Sequence, residues 1–238
     1  MPINVTEKKI KSKIKLHDRV AVIENIRYPY FDCTDDGKYK KLCDRMNDFY
    51  SSVAETYSVH ARNKLPKKIK LNRRKCNLPM TLAMDYTIAL CDEKIISVVL
   101  DLTYTEGKNV KKRRFSQMWS TRNASMLPVK EIIRTDKSAR KTVYSAVSDM
   151  AKKNDETGAF GYFGDYLLSL AKSFDIRNCF AVPKGMCFYI NAGILSPVKY
   201  GAASFVLSSG KLRNILKGDF LPKEDEKEAQ NGNIVNNV

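Results

Sequence analysis

The chain has 238 residues, 43% of them apolar and 29% charged. That is enough to bury a core over about 70–75% of the unfolded surface, and it excludes collagen-like, mucin-like and wholly disordered organisation. Lys and Arg total 42 against 26 Asp and Glu, a formal net charge of +16, which predicts attraction to anions without naming one.

The first sixteen residues, MPINVTEKKIKSKIKL, lack the apolar stretch of a secretory signal. Residues 1–17 therefore read as a basic tail. Nowhere does the chain reach the roughly 18 uninterrupted apolar residues of a membrane span. As it stands the chain reads as cytoplasmic, or as extracytoplasmic if a leading signal or anchor has been removed. Residues 20–30 are rich in Val, Ile and Tyr and predict a strand ending near Pro29. From Tyr39 the period changes: Leu42, Met46, Phe49, Tyr50, Val53 and Tyr57 follow helical spacing and predict a helix over 37–60. Asp35 and Asp36 stand at its start, where carboxylates meet free amides.

Pro66 and a dense basic run break that pattern over 64–75. Residues 81–91 and 95–104 then alternate cleanly around Asp92, Glu93 and Lys94, the signature of an antiparallel hairpin. After a basic linker over 108–114, residues 115–121 predict a strand anchored by Trp119. Leu127 and Pro128 open a second unit. It comprises a helix over 136–152, a glycine-bearing loop over 154–164, a short helix over 165–174, a hairpin of 178–182 and 186–190 around Pro183, Lys184 and Gly185, and a last strand at 205–207. Residues 218–238 read as a disordered tail. The whole predicts an α+β fold of two subdomains, 18–127 and 128–217, each an antiparallel sheet packed against helices.

The six cysteines, Cys33, Cys43, Cys76, Cys91, Cys179 and Cys187, have no C-x-x-C spacing, and His17 and His60 are the two histidines. No zinc pattern forms, so the cysteines read as mostly buried thiols. Cys179 and Cys187 are the exception to test, because the predicted hairpin places them on neighbouring strands.

Residues 178–185 read NCFAVPKG, 186–191 MCFYIN, 194–202 ILSPVKYGA and 205–209 FVLSS. This order of strand, turn, aromatic strand, Pro and Tyr-Gly loop, strand and helix resembles the C-terminal domain of the lysozyme-sensing anti-sigma factor family. The same domain is found at the N-terminus of a class of bacterial polysaccharide deacetylases. Upstream, YPY at 28–30, the long helix, LTYT at 102–105 and the strand around Trp119 look like its companion part, so the likeness spans about residues 18–217. Where the family carries a Gly-Gly-Ala-His-like stretch after the second hairpin strand, this chain has EGKNV at 106–110. Membrane or secretory segments usually precede the module in that family and a deacetylase domain can follow it; the 238 residues of this chain are expected to hold neither. The resemblance implies a noncatalytic binding or sensor module with a protein or polysaccharide partner and no cofactor.

Two groups of residues are candidate sites. Phe160, Tyr162 and Phe163 lie among glycines, and Tyr189, Asn191 and Tyr200 sit in the family-like segment; exposed aromatics are enriched at binding hot spots. Basic segments 62–75 and 108–114 flank the predicted hairpin and could meet at one end of its sheet. Lys67, Lys68, Arg73, Arg74, Lys111, Lys112, Arg113 and Arg114 are the candidate anion contacts of the alternative reading, a general anion- or nucleic-acid-binding protein, with nonspecific, salt-sensitive binding expected. The competing reading of each group is structural: a loop capping the core, and a solvated charged face. No nucleophile elbow, phosphate loop or nucleic-acid motif is present. Asp85 and Asp101 fall on polar faces of adjacent strands as the one carboxylate pair worth testing for acid–base work, and His60 reads as a partner for a helix C-terminus.

Overall fold

A computed structural model describes residues 3–33, 37, 39–71, 77–158 and 160–218. The capping acids Asp35 and Asp36, Arg73, Arg74 and Cys76, and tail residues 219–238 lie outside the described residues.

The first difference from the sequence reading comes at once. Most of the segment expected to be a basic tail forms strand β1 (Ile3–Leu16), which pairs antiparallel with β2 (Arg19–Cys33) along its whole length. Charge hid an alternation: Ile10, Ser12, Ile14 and Leu16 are half-buried, whereas Lys9, Lys11, Lys13 and Lys15 are exposed. His17 and Asp18 form the connecting turn, both at positive φ, as a two-residue hairpin with right-handed strand twist demands. Pro29 does not end β2, because the strand runs on to Cys33.

Helix α1 (Lys40–Val59) buries Leu42, Met46, Tyr50 and Ala54, the stripe expected from its spacing. Pro66 does not break it. A π-turn (His60–Lys64) leads directly into α2 (Leu65–Leu71), and the Leu65 N–H donates to His60 O. The proline, which has no N–H to give, follows this wide turn, and the helical path continues. His60 therefore lies inside a helical run, and its reading as a partner for a helix end is corrected.

Strands β3 (Met80–Cys91), β4 (Ile95–Glu106) and β5 (Asn109–Ser120) form a meander, closed by the two-residue β6 (Ser125–Met126). The sheet order is β1-β2-β3-β4-β5-β6. Because α1 and α2 carry the chain back across the sheet, β2 and β3 pair in parallel, the one parallel pair of an otherwise antiparallel sheet. Residues 109–114 belong to β5 and are no linker. The turn between β4 and β5 is Gly107 and Lys108, with Gly107 at φ +60 and the Asn77 side chain 2.7 Å from where a Cβ would sit.

The second part begins with a single turn, α3 (Val129–Ile132), and α4 (Lys137–Glu156), capped by Asp136, whose carboxylate accepts from the Ser138 and Ala139 amides. Helix α5 (Tyr166–Ser173) follows, then a three-stranded antiparallel sheet of β7 (Cys179–Val182), β8 (Gly185–Ile190) and β9 (Ala203–Ser208). The fold is α+β with two sheet-containing parts. Among the described residues no helix is long and apolar enough to cross a membrane.

The parts stack in four layers. One core lies between α1–α2 and the first face of the large sheet, joining Tyr50, Phe31, Ile26, Met84, Leu100 and Trp119. A second lies between α4–α5 and the outer face of the small sheet, joining Val143, Val147, Leu170, Phe188 and Phe205. A third, smaller cluster of Val99, Phe180, Cys187 and Tyr189 lies where the two sheets face each other. Cys179 pairs across the hairpin with Phe188, and Phe180 with Cys187. Side chains alternate along a strand, so Cys179 and Cys187 point to opposite faces, and both remain thiols.

Candidate functional site

The small sheet covers only part of the large one. Its inner face touches β3, β4 and β5 around Ala89 and Val99. Farther along, the second face of the large sheet is left open, and there the sequence changes character. Register places Lys9 opposite Arg27, Asp85 opposite Asp101, and Asp101 opposite Arg114. Ile26 pairs with Met84, which brings Arg27 beside Asp85. The result is a row of side chains across five strands with charges +, +, −, −, +.

The row is internally paired. Arg114 grips Asp101 bidentately, Nε to Oδ1 at 2.9 Å and Nη2 to Oδ2 at 2.8 Å, and Arg27 donates to Asp85. Lys9 is ion-paired to Glu7. The adjacent row, Lys11, Asn25, Ala83, Thr103 and Lys112 in register, carries amide, hydroxyl and ammonium groups. Between these rows and the loop bearing Ala192, Gly201 and Ala202 lies a cleft of about 310 Å³.

Asp85 and Asp101 directly oppose one another, as acid–base chemistry would require. Yet each carboxylate is bound by a guanidinium, a partnership that occupies its oxygens. The pair reads as the neutralised centre of the ladder. Among the described residues no group of three His, Cys, Asp or Glu is placed to hold a metal ion.

The residues singled out from sequence fall in three places. Arg114 is a pin between the sheets, its Nη1 donating to Ser204 Oγ at 3.1 Å and its N–H to Asn191 Oδ1 at 2.7 Å. Its expected role as an open anion contact is corrected, and Asn191 is likewise engaged. Tyr189 is 4% exposed between the sheets, 3.4 Å from Ser116 Oγ, so it lines no open groove. Phe160, Tyr162 and Tyr166 form a stacked run, with centroids 5.7 and 4.9 Å apart. Phe163 stays exposed, as does Tyr200, whose ring lies against Gly161 and under the Lys199 ammonium. The aromatic loop and the loop that walls the cleft therefore touch.

The basic segments approach one another at one end of the large sheet. Lys68 of α2 donates to Glu106 Oε2 at 2.9 Å and to Tyr104 Oη at 3.3 Å, bonds that raise its pKa. Tyr104 is in register with Lys111. Lys111 and Arg113 project to the helix-covered face and Lys112 to the cleft, by alternation; Arg113 lies 4.8 Å over the Phe115 ring. Lys67 is exposed on α2. Sequence reasoning missed Asn25, Arg27 and the lysine row of β1; the strict alternation of 9–16 was the available signal.

No family model matches the sequence, and no curated protein matches it. Solved structures do. A DUF3298 family member from Bacteroides fragilis NCTC 9343 is similar with a TM-score of 0.63 at 14% identity, over 92% of this chain and 94% of that one. A DUF3298 family protein from Pseudomonas aeruginosa PAO1 is similar with a TM-score of 0.57 at 11% identity, over 93% and 98%. The likeness is one of fold. Its breadth is informative, since it takes in both sheets and not the C-terminal segment alone.

Proposed function

We propose that the protein is a noncatalytic binding or sensor module whose ligand is a polar, anion-bearing polysaccharide held in the cleft of the large sheet. One observation carries this reading. Sheet surface left uncovered by the second layer presents a neutralised charge ladder beside Asn25, Thr103 and Lys112, where hydroxyl and anionic groups find partners. The resemblance to sensor domains of anti-sigma factors supports it, and the pairing of both aspartates supports a role without catalysis.

Titration with an array of uronate- and phosphate-bearing oligosaccharides tests it. Binding is expected, at least tenfold weaker in Asn25→Ala with Thr103→Val, and no product accumulates. A turned-over glycan, lost in Asp101→Asn, would overturn the noncatalytic reading; affinity unchanged in the double variant would overturn the site. A second reading, general anion binding through 62–75 and 108–114, is favoured by the approach of Lys68 to the Lys111 end of the sheet. Charge reversal at Lys67 and Lys111 abolishes heparin retention under that reading and leaves the cleft ligand bound under the first.

A further inference from the structure

Strand β5 is an edge over most of its length. It pairs with β4 from Asn109 to Ser120, but its other side meets β6 only at Trp119 and Ser120. Two hydrogen bonds show which residues turn their backbone outward: the Arg114 N–H donates to Asn191 Oδ1, and Met118 O accepts from the Leu127 N–H. In an antiparallel ladder this alternates, so Val110 and Lys112 also direct N–H and C=O away from β4. Among the described residues nothing pairs with those groups.

Beside this stretch lies a groove of about 500 Å³ walled by Leu102, Tyr104, Lys111, Lys112, Arg113 and Asn191. Its floor is aliphatic and aromatic and its rim cationic. The opposite edge, β1, is longer, but its exposed row of Lys9, Lys11, Lys13 and Lys15 has the form of protection against strand pairing.

We propose that residues 109–113 receive an extended acidic peptide of a partner protein by strand addition. Val110 and Lys112 exchange backbone hydrogen bonds with it. Its acidic side chains share the face of Leu102 and Tyr104, laying their methylenes over the groove floor and their carboxylates against Lys111 and Arg113. Its apolar side chains fall on the opposite face beside the Lys112 stem. Asn191, already bound to Arg114, closes the far end and limits the added strand to about five residues. This site borders the polysaccharide cleft, with Lys112 and Arg113 lining both; strand addition uses the Lys112 backbone and the cleft its side chain, so neither proposal rests on the other.

The probe is a blocked hexapeptide of alternating glutamate and valine, at low ionic strength. Saturable binding is expected, with hydrogen exchange at the Val110 and Lys112 amides slowed at least tenfold. The same peptide N-methylated at alternate amides should bind at least tenfold more weakly, as should the unmodified peptide to Val110→Pro and to Lys111→Glu with Arg113→Glu. Equal binding of the N-methylated peptide, binding without slowed exchange at these two amides, or no saturable binding up to millimolar peptide would each overturn the proposal. If Val110→Pro loses its native circular dichroism, the N-methylated peptide against the unaltered chain decides. Loss of oligosaccharide binding in Asn25→Ala with Thr103→Val leaves these outcomes unchanged, so the two proposals fail separately.

Discussion

Asp136 shows how much one side chain can set. It stands before α4 and accepts from the Ala139 and Ser138 amides, with Arg134 Nε 2.8 Å from its other oxygen. These hydrogen bonds and the Arg134 charge hold its carboxyl below the ordinary carboxylate range. A depressed folded pKa means that the stabilisation is present above about pH 4 and is lost as pH falls through the lower folded value. Asp136→Ala should therefore melt below the parent chain at pH 7, with the gap closing as pH falls below 4. A gap that persisted at pH 2 in thermal melts would show that charge is not its source. Buried groups are shifted the opposite way: burial and the neighbouring Cys33 push the Cys43 thiol up to about 12, and burial pushes Cys187 to about 11. Both stay protonated and unreactive at neutral pH.

At the scale of elements, alternation and turns governed what was legible. The hairpin of β3 and β4, the α1 stripe and the hairpin of β7 and β8 all follow from local periodicity, because each buries one face beside its sequence neighbour. At Gly185 the β9 backbone approaches β8 closely. At φ +151, a Cβ there would sit 2.2 Å from Leu207 O, a backbone atom that cannot yield cheaply. Gly185→Ala should destabilise the small sheet by about 1–3 kcal/mol, read from urea midpoints at unchanged m-value. A wild-type midpoint would contradict the close approach. Two elements escaped the sequence reading for one reason, namely that lysine and arginine were read as solvent-facing irregular chain. In β1 and in residues 109–114 they occupy one face or the rim of a strand, and only the paired neighbour reveals it.

At the scale of the molecule, the decisive feature is that two sheets stack and their mismatch in area leaves the cleft. Arg114 sits at the boundary, tying β5 to β4 through Asp101 and to the small sheet through Ser204 and Asn191. Arg114→Met should cost about 1.5–3 kcal/mol, the range for hydrogen bonds to charged groups, because Asp101 loses its partner. Arg114→Lys should recover part of the loss. A double-mutant cycle with Ser204→Ala reports the tie between sheets, and strict additivity would remove Arg114 from that role.

Taken alone, the amino-acid sequence determined the α+β class, the long helix, both hairpins and the basic balance, since these depend on spacing within some ten to twenty residues. It also placed Asp85 and Asp101 on polar strand faces. Only the tertiary structure decided that β2 and β3 run parallel, that the sheets stack face to face, and that Lys9, Arg27, Asp85, Asp101 and Arg114 form one row. Those relations join residues up to about a hundred positions apart, and register across strands is set by packing and crossover geometry that no local pattern encodes. The +16 charge is likewise redistributed by the fold: part is neutralised in the ladder, and part lines the edges where partners are expected to arrive.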